Sequence, residues 1–405
     1  MNILHLSAQK PDSTGSGIYL AQLVEGFARA GHTQAVIAGI GPEDAPAFPA
    51  GVSFHPVRFE TDELPFPVAG MSNVMPYKAT RYCDFTPEMA VQFKAAFAHK
   101  LAEVLDSFTP DLVICHHLYL ATSVVVHGLQ QHALENPALA NCKAVAVCHS
   151  TDINQMRMHS LERDFIIEGI QMLDEVLALH APQAAEIAEV YGVPAERIRV
   201  IGTGYDKGQF FPEPGMREEG ARRLVYVGKI WRRKGVESLI SAISQMTPED
   251  APTETILVGG YSDQAEYDEA FALAQVCPYP IRFAGVVSQQ ELIDSYNRAN
   301  VFVLPSFYEG LPLVILEAMG CGCNVVATDL PGIQEWICAH LPDAPIWFVE
   351  PPTMRTSDEP AEEALPAFEA HLAQALAEAL AAPAPTADPT VLSWDAVCNR
   401  IVQSR

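Results

Sequence analysis

Two glutamates, Glu309 and Glu317, stand eight positions apart in Pro305-Ser306-Phe307-Tyr308-Glu309-Gly310-Leu311-Pro312-Leu313-Val314-Ile315-Leu316-Glu317-Ala318-Met319-Gly320. Pro312 suits the first turn of a helix, so Glu309 falls in the loop before that helix and Glu317 on it. Leu313, Val314 and Leu316 are expected to pack inward. A carboxylate in so apolar a stretch needs a polar partner, because burying it alone is costly. Ligand hydroxyls are suitable partners. A second group, Lys229-Ile230-Trp231-Arg232-Arg233-Lys234-Gly235, is a dense basic cluster after a strand-like run. Fixed ammonium groups there can stabilise a diphosphate as charge develops on it; a solvated basic face is the other reading. A third, Gly15-Ser16-Gly17, lies between a strand-like and a helical run. Glycines let backbone approach a phosphate, and a helix N-terminus offers free N–H groups. The same turn can be purely structural, and it completes neither a Walker loop nor the dinucleotide fingerprint.

The elements that would position these residues alternate along the chain. Ile3 to Leu6 reads as a strand and Ile18 to Ala30 as a helix, with Leu20, Leu23, Val24 and Phe27 on one face and Gly31 closing it. Gln34 to Ala38, Leu112 to Cys115 and Ala144 to Cys148 read as further strands. A helix is predicted from about Thr86 to Ser107, and helices through Leu161–Leu177. The pattern restarts with strands at Leu224–Val227, Thr255–Val258, Ile281–Phe283, Val301–Leu304 and Asn324–Ala327, and helices at Val236–Ile243 and Pro312–Met319. Pro- and acid-rich loops flank an Ala-rich helix at Leu365–Leu380, and Ser393 caps a last short helix. The fold class is therefore α/β: two doubly wound Rossmann-like domains facing each other across a cleft, with ligands beyond the carboxyl ends of the strands. The expected domains are 1–204, completed by a C-terminal helix over 392–405, and 205–391.

A chain of 405 residues exceeds what one core usually supports. Its net charge of −25 disfavours nucleic acid and anionic membrane surfaces as partners. No apolar run has the length of a membrane span. Met1-Asn2-Ile3-Leu4-His5-Leu6 has no basic n-region, so no signal peptide is read. Nine scattered cysteines without a CxxC pair suit the reduced thiols of a cytoplasmic protein.

The stretch Glu309 to Glu317 resembles the E-x7-E motif of retaining GT-B glycosyltransferases, family 4 (group 1) in particular. Nearly the whole chain agrees. Gly15-Ser16-Gly17-Ile18-Tyr19 is similar to the family's N-terminal glycine loop, and Val147-Cys148-His149-Ser150-Thr151-Asp152 to its histidine motif. Ile201 to Asp206, through Phe211-Pro212, resembles the interdomain hinge. Val227-Gly228-Lys229 to Lys234-Gly235 resembles the donor-phosphate motif, with Lys229 where arginine is usual. Phe283-Ala284-Gly285-Val286-Val287 resembles the loop that meets the nucleobase through its backbone, and Ser393-Trp394 the terminal helix. Leu330-Pro331-Gly332 departs from the two adjacent glycines often found there.

The resemblance implies roles. Lys229 and Lys234 would hold the donor diphosphate, approached also by Gly15, Ser16 and Gly17. Glu317 would bind the ribose, Glu309 a hydroxyl of the transferred sugar, and Gly285, Val287 and Leu313 would line the donor site. His149, Glu309 and Lys234 would be catalytic. The reaction would be front-face displacement with retention, the lysines stabilising the leaving diphosphate, with no DxD-type metal site, no metal and no cofactor; the nucleotide sugar, a UDP- or GDP-sugar, is a co-substrate. The acceptor is expected to be small and soluble. It would meet the first domain near the loop 64–77, at Met75 and Tyr77, with His117 and Arg157 nearby. A nucleotide-sugar epimerase or hydrolase on the same fold, and a non-catalytic nucleotide-sugar sensor, are the competing readings.

Overall fold

The run Asn2–Ser7 forms β1, buried from its second residue onward, as a strand covered by helices on both faces must be. In the computed structural model, which describes every residue except Asp12, Asn73, Val74, Glu219, Ser357, Ser404 and Arg405, β1 lies in a seven-stranded sheet. The order is β3 (Val52–Arg58), β2 (Thr33–Ile40), β1, β6 (Leu112–His116), β7 (Lys143–Val147), β8 (Glu175–Ala178), β9 (Ile198–Val200). All its pairings are parallel. β4 (Ala69–Gly70) and β5 (Thr80–Arg81) form a separate two-stranded pair. A second parallel sheet has six strands in the order β12 (Ile281–Gly285), β11 (Glu254–Val258), β10 (Arg223–Val227), β13 (Val301–Leu304), β14 (Asn324–Thr328), β15 (Ile346–Val349). The chain divides into two units, Met1–Thr203 with Val397–Arg405, and Gly204–Ala396. Each sheet reverses its strand order once, between β1 and β6 and between β10 and β13. Ligands of such sheets gather beyond the carboxyl ends of the strands at that point.

The helix after β1 is Gly15–Arg29, so the three residues read as a loop form its first turn. Thr14 is the N-cap, accepting from the Gly17 N–H. The other end closes as expected. Gly31 is left-handed, its N–H reaches Ala28 and that of His32 reaches Phe27, the two bonds of a Schellman ending.

Four strands of the main sheets escape the sequence reading, and their chemistry shows why. β3 carries Pro56 and polar residues, which only an edge strand tolerates. β9 and β15 are short edge strands. β8 lies where helix was expected up to Leu177. Ile166, Ile170, Leu173 and Leu177 have helical spacing and are all buried, but the helix stops at Gln171, Leu173 lies in the bend that follows, and Leu177 serves the sheet. On the Leu313–Gly320 helix the inward residues are Ile315 and Leu316, whereas Leu313 and Val314 are half-buried. Pro312 is its N-cap rather than part of its first turn. The loop over 64–77 is largely core. Leu64, Phe66, Val68 and Met71 are buried, so most of the loop is a connector packed on the core; Asn73 and Val74 lie outside the described residues.

Candidate active site

In the second unit, β10 runs through Gly228 and Lys229 into a short 3-10 turn, Arg232–Lys234, and then the helix Val236–Ser244. Gly235 between them has φ +68°, and a Cβ there would stand 2.0 Å from the Pro305 carbonyl oxygen. Glycine alone lets this turn sit against the end of β13. The approach brings Lys234 to the loop after β13, where its Nζ donates to Glu309 Oε1 at 2.6 Å and Ser306 Oγ donates to the same oxygen at 2.7 Å. The two charged side chains are only 24% and 15% exposed. A ligand with an anionic group for Lys234 and a hydroxyl for Glu309 can replace their mutual bond without stranding either charge. The arginines of the cluster are committed elsewhere: Arg232 pairs with Glu237 and Glu269, and Arg233 with Asp358 while lying 5.0 Å over the Trp231 ring. The basic cluster therefore reduces to Lys234 and the exposed Lys229 as charges at the strand end.

Glu317 is half-buried on the Leu313–Gly320 helix and accepts from the Tyr296 hydroxyl at 3.2 Å. Burial outweighs that bond and raises its carboxyl to about 7. Among the described residues this is one donor for two carboxylate oxygens, which leaves the charge under-supported. The ends of β10, β11 and β12 are pinned together. Gly259, at φ +141°, would place a Cβ 1.9 Å from the Gly228 carbonyl oxygen, and its N–H donates to Gly285 at 2.8 Å. Gly285 is exposed, with φ +71° and nothing near its Cβ position, and Val287 beyond it is half-buried. Gly332, at φ +85°, caps the Ile333–His340 helix.

In the first unit the polar residues converge on Gln9, just past β1. Its Oε1 receives Ser16 Oγ at 3.0 Å and lies 3.1 Å from His117 Nε2, and its amide reaches Met75 Sδ at 3.9 Å. Next to it Lys10 pairs with Asp44 at 2.6 Å and sits 4.8 Å over the Tyr77 ring. Gly15 is exposed with open space at its Cβ position, while the Gly17 amide is spent on Thr14. The edge thus holds Gly15, Ser16, Gly17, Met75, Tyr77 and His117 in one connected set. Arg157 is not part of it; its exposed guanidinium pairs with Glu186 and Glu189 at 3.4 Å.

His149 follows β7 and His116 ends β6, with His149 Nε2 3.2 Å from His116 Nδ1. Tyr19 packs edge-on against His149 at 5.3 Å. Two residues here, His117 and Ser150, have positive φ of 72° and 68°, a strain that non-glycine residues carry only when their surroundings enforce it. Asp152 enforces it. Fully buried, it accepts from the N–H groups of Leu118 at 2.8 Å, His149 at 3.2 Å and Ile153 at 3.2 Å, and stands 3.8 Å from His117 Nδ1. Burial opposes its charge, yet His117, His149 and the Leu118 N–H hold it well below the usual carboxylate range. Gln9 and Tyr296 were not picked out from sequence, and Asp152 and Ser306 stood only as members of the motifs, without a role of their own. Asp152 was legible as the acid that ends the histidine motif and falls in the first turn of the Thr151–Met158 helix.

Two successive parallel α/β units, with a lysine and two glutamates on the second, define the GT-B class of glycosyltransferases. The family model for Glycosyltransferase Family 4 matches residues 13–209, and that for Glycosyl transferases group 1 matches residues 221–352. The chain belongs to this group 1, family 4 class of glycosyltransferases. It is 29% identical over 251 residues to an alpha-maltose-1-phosphate synthase of Mycolicibacterium smegmatis, covering 58% of this chain and 61% of that one. It is 24% identical over 231 residues to an uncharacterised glycosyltransferase of Methanocaldococcus jannaschii, covering 50% and 58%. The chain thus spans less than two thirds of the length of these curated relatives. Among solved structures it is similar in fold to a sucrose-phosphate synthase from Thermosynechococcus elongatus, with TM-score 0.61, 20% identity and coverage of 99% and 97%. It is also similar to an Anabaena protein solved with UDP, with TM-score 0.60, 16% identity and coverage of 100% and 99%.

Proposed function

We propose that this chain is a retaining glycosyltransferase that moves a sugar from a UDP- or GDP-sugar to a small acceptor by front-face displacement. The observation that carries the reading is the Lys234–Glu309–Ser306 cluster with the under-supported Glu317 on the following helix. In this reading Lys234 and Lys229 take the donor diphosphate and stabilise it as the glycosidic bond breaks. Glu309, freed from Lys234, orients the transferred sugar, and Glu317 takes the ribose hydroxyls. No metal takes part, because the lysines supply the positive charge. His149 faces the donor sugar, and the acceptor is held by the first unit near Met75, Tyr77 and His117. Binding of a UDP-sugar by a protein of the same fold supports the donor class, since the Anabaena protein was solved with UDP-glucose.

A panel of nucleotide sugars in a thermal-shift assay tests the donor. The true donor at 100 times its Kd adds roughly 2.7 kcal/mol of stability. Transfer to an acceptor panel, with the anomeric configuration read by NMR, tests the rest. Release of free sugar as the sole product would instead mean a hydrolase, and an inverted product would remove the front-face mechanism.

A further inference from the structure

The ring centroids of His116 and His149 are 5.4 Å apart and their planes differ by 12°. Because Nδ1 of one and Nε2 of the other are 3.2 Å apart, the centroid separation nearly equals that contact plus the two ring radii. The rings therefore lie edge to edge in one plane, with a single proton between two nitrogen lone-pair directions. One of the two imidazoles donates, and the choice fixes both tautomers.

His116 is 2% exposed and its other nitrogen, Nε2, has no partner among the described residues. If His149 donated, His116 would carry its own proton on Nε2, a buried N–H with no acceptor. If His116 donates, Nε2 is a bare lone pair. Orphaned buried N–H groups are the rarer of the two arrangements in folded proteins. His149 is half-buried, so its free nitrogen imposes no comparable constraint.

We propose that His116 is a positioning residue that donates from Nδ1 to His149 Nε2, so that His149 carries its proton on Nδ1 and offers a neutral N–H to a hydroxyl or phosphate oxygen of the bound donor. This rests on the placement of His149 at the donor in the reading above. The ring is held neutral as well as oriented: burial and the adjacent His117 push His149 down to about 3. It acts as a fixed hydrogen-bond donor and not as a proton carrier. The rings of Tyr19 at 5.3 Å and His117 at 4.8 Å confine the imidazole, while the Asp152 bond to the His149 N–H fixes the backbone that carries it.

The test is ¹⁵N NMR of histidine-labelled full-length protein, with His149 assigned by difference against H149Q. A pyrrole-like Nδ1 and a pyridine-like Nε2 on His149 are expected; the reverse pattern overturns the proposal. Two substitutions add an activity readout. The Asn amide in H116N keeps a donor at the Nδ1 position and is expected to retain the tautomer and most of kcat. H116L removes the donor and is expected to mix the tautomers and lower kcat about tenfold or more, with donor KM within about twofold. Equal loss in both variants, or an unchanged tautomer in H116L, overturns it. Full turnover in H149Q would overturn the assignment of His149 to the reaction, and the tautomer pattern separates that failure from the other.

Discussion

At the scale of single residues, Lys234 and Glu309 are each other's counter-charge until a ligand arrives, so their losses should differ in kind. On the proposed reading, Lys234→Ala removes a group that would meet charge developing on the leaving diphosphate. We expect kcat/KM to fall by roughly 100-fold or more, about 3 kcal/mol in the barrier. Near-normal steady-state kinetics would end the diphosphate assignment. Glu309→Gln should depress kcat if, as proposed, Glu309 orients a sugar that changes in the transition state. Glu317→Gln should raise donor KM with modest change in kcat, as expected of a contact equally strong before and during reaction. The pH dependence of Glu317 follows from its carboxyl at about 7. If ribose hydroxyls donate to the carboxylate, as proposed, donor Kd should weaken as pH falls below 7, and this dependence should vanish in Glu317→Gln. Stability of the ligand-free protein runs the other way. A raised carboxyl is neutral at low pH, and its contribution is lost as pH rises from the unfolded value near 4.5 through about 7. Glu317→Gln should therefore raise the apo Tm at pH 8 by a few degrees while weakening donor binding. Calorimetry for Kd and melting curves at two pH values check both; a Tm that does not rise counts against the burial argument.

At the scale of elements, the turns after the central strands position the site, and their glycines sort by what a methyl group would meet. Gly259→Ala puts a Cβ 1.9 Å from the Gly228 carbonyl at a φ of +141°. We expect it to destabilise the second unit by about 3 kcal/mol or more. Gly15→Ala has open space, an exposed position and a place in the first turn of a helix, so Tm should hold or rise slightly. If Gly15 lets a diphosphate approach the backbone, donor Kd should still weaken about tenfold; unchanged Kd would return that turn to a structural role. These turns also show what the sequence made legible. Central strands such as β13, a continuous apolar run, and β1, apolar from Ile3 to Leu6 but for His5, were found. β3 and β8 were missed, because edge strands carry polar residues and Pro56, and because the apolar positions of the 163–171 helix and β8 share one helical spacing. The Glu309 and Glu317 spacing was readable as a motif. Gln9 and Tyr296 were not, because their importance lies in contacts between residues far apart in the chain, 66 positions from Gln9 to Met75 and 21 from Tyr296 to Glu317.

At the scale of the whole molecule, the chain carries a net charge of −25, while the proposed donor is itself an anion. The two effects have different ranges. The repulsion is long-range and acts on the approaching nucleotide sugar; at about 10 mM salt it extends roughly 30 Å. The attraction of Lys234 is made at contact, on a side chain 24% exposed, where salt screens poorly. Raising ionic strength from about 10 to about 150 mM shortens the screening length to roughly 8 Å. It should weaken the repulsion more than the contact. We therefore expect kcat/KM for the donor to rise about two- to threefold over that range, the reverse of the usual salt inhibition of anion binding. The gain should appear in kcat/KM and not in kcat, since screening alters encounter and leaves the bound complex nearly unchanged. Potassium chloride with fixed buffer separates ionic strength from specific ion effects, and EDTA in parallel should change neither value if the lysines alone carry the diphosphate charge. A steep fall of kcat/KM with added salt would mean that the local basic charge at the strand ends, not the acidic surface, governs donor approach.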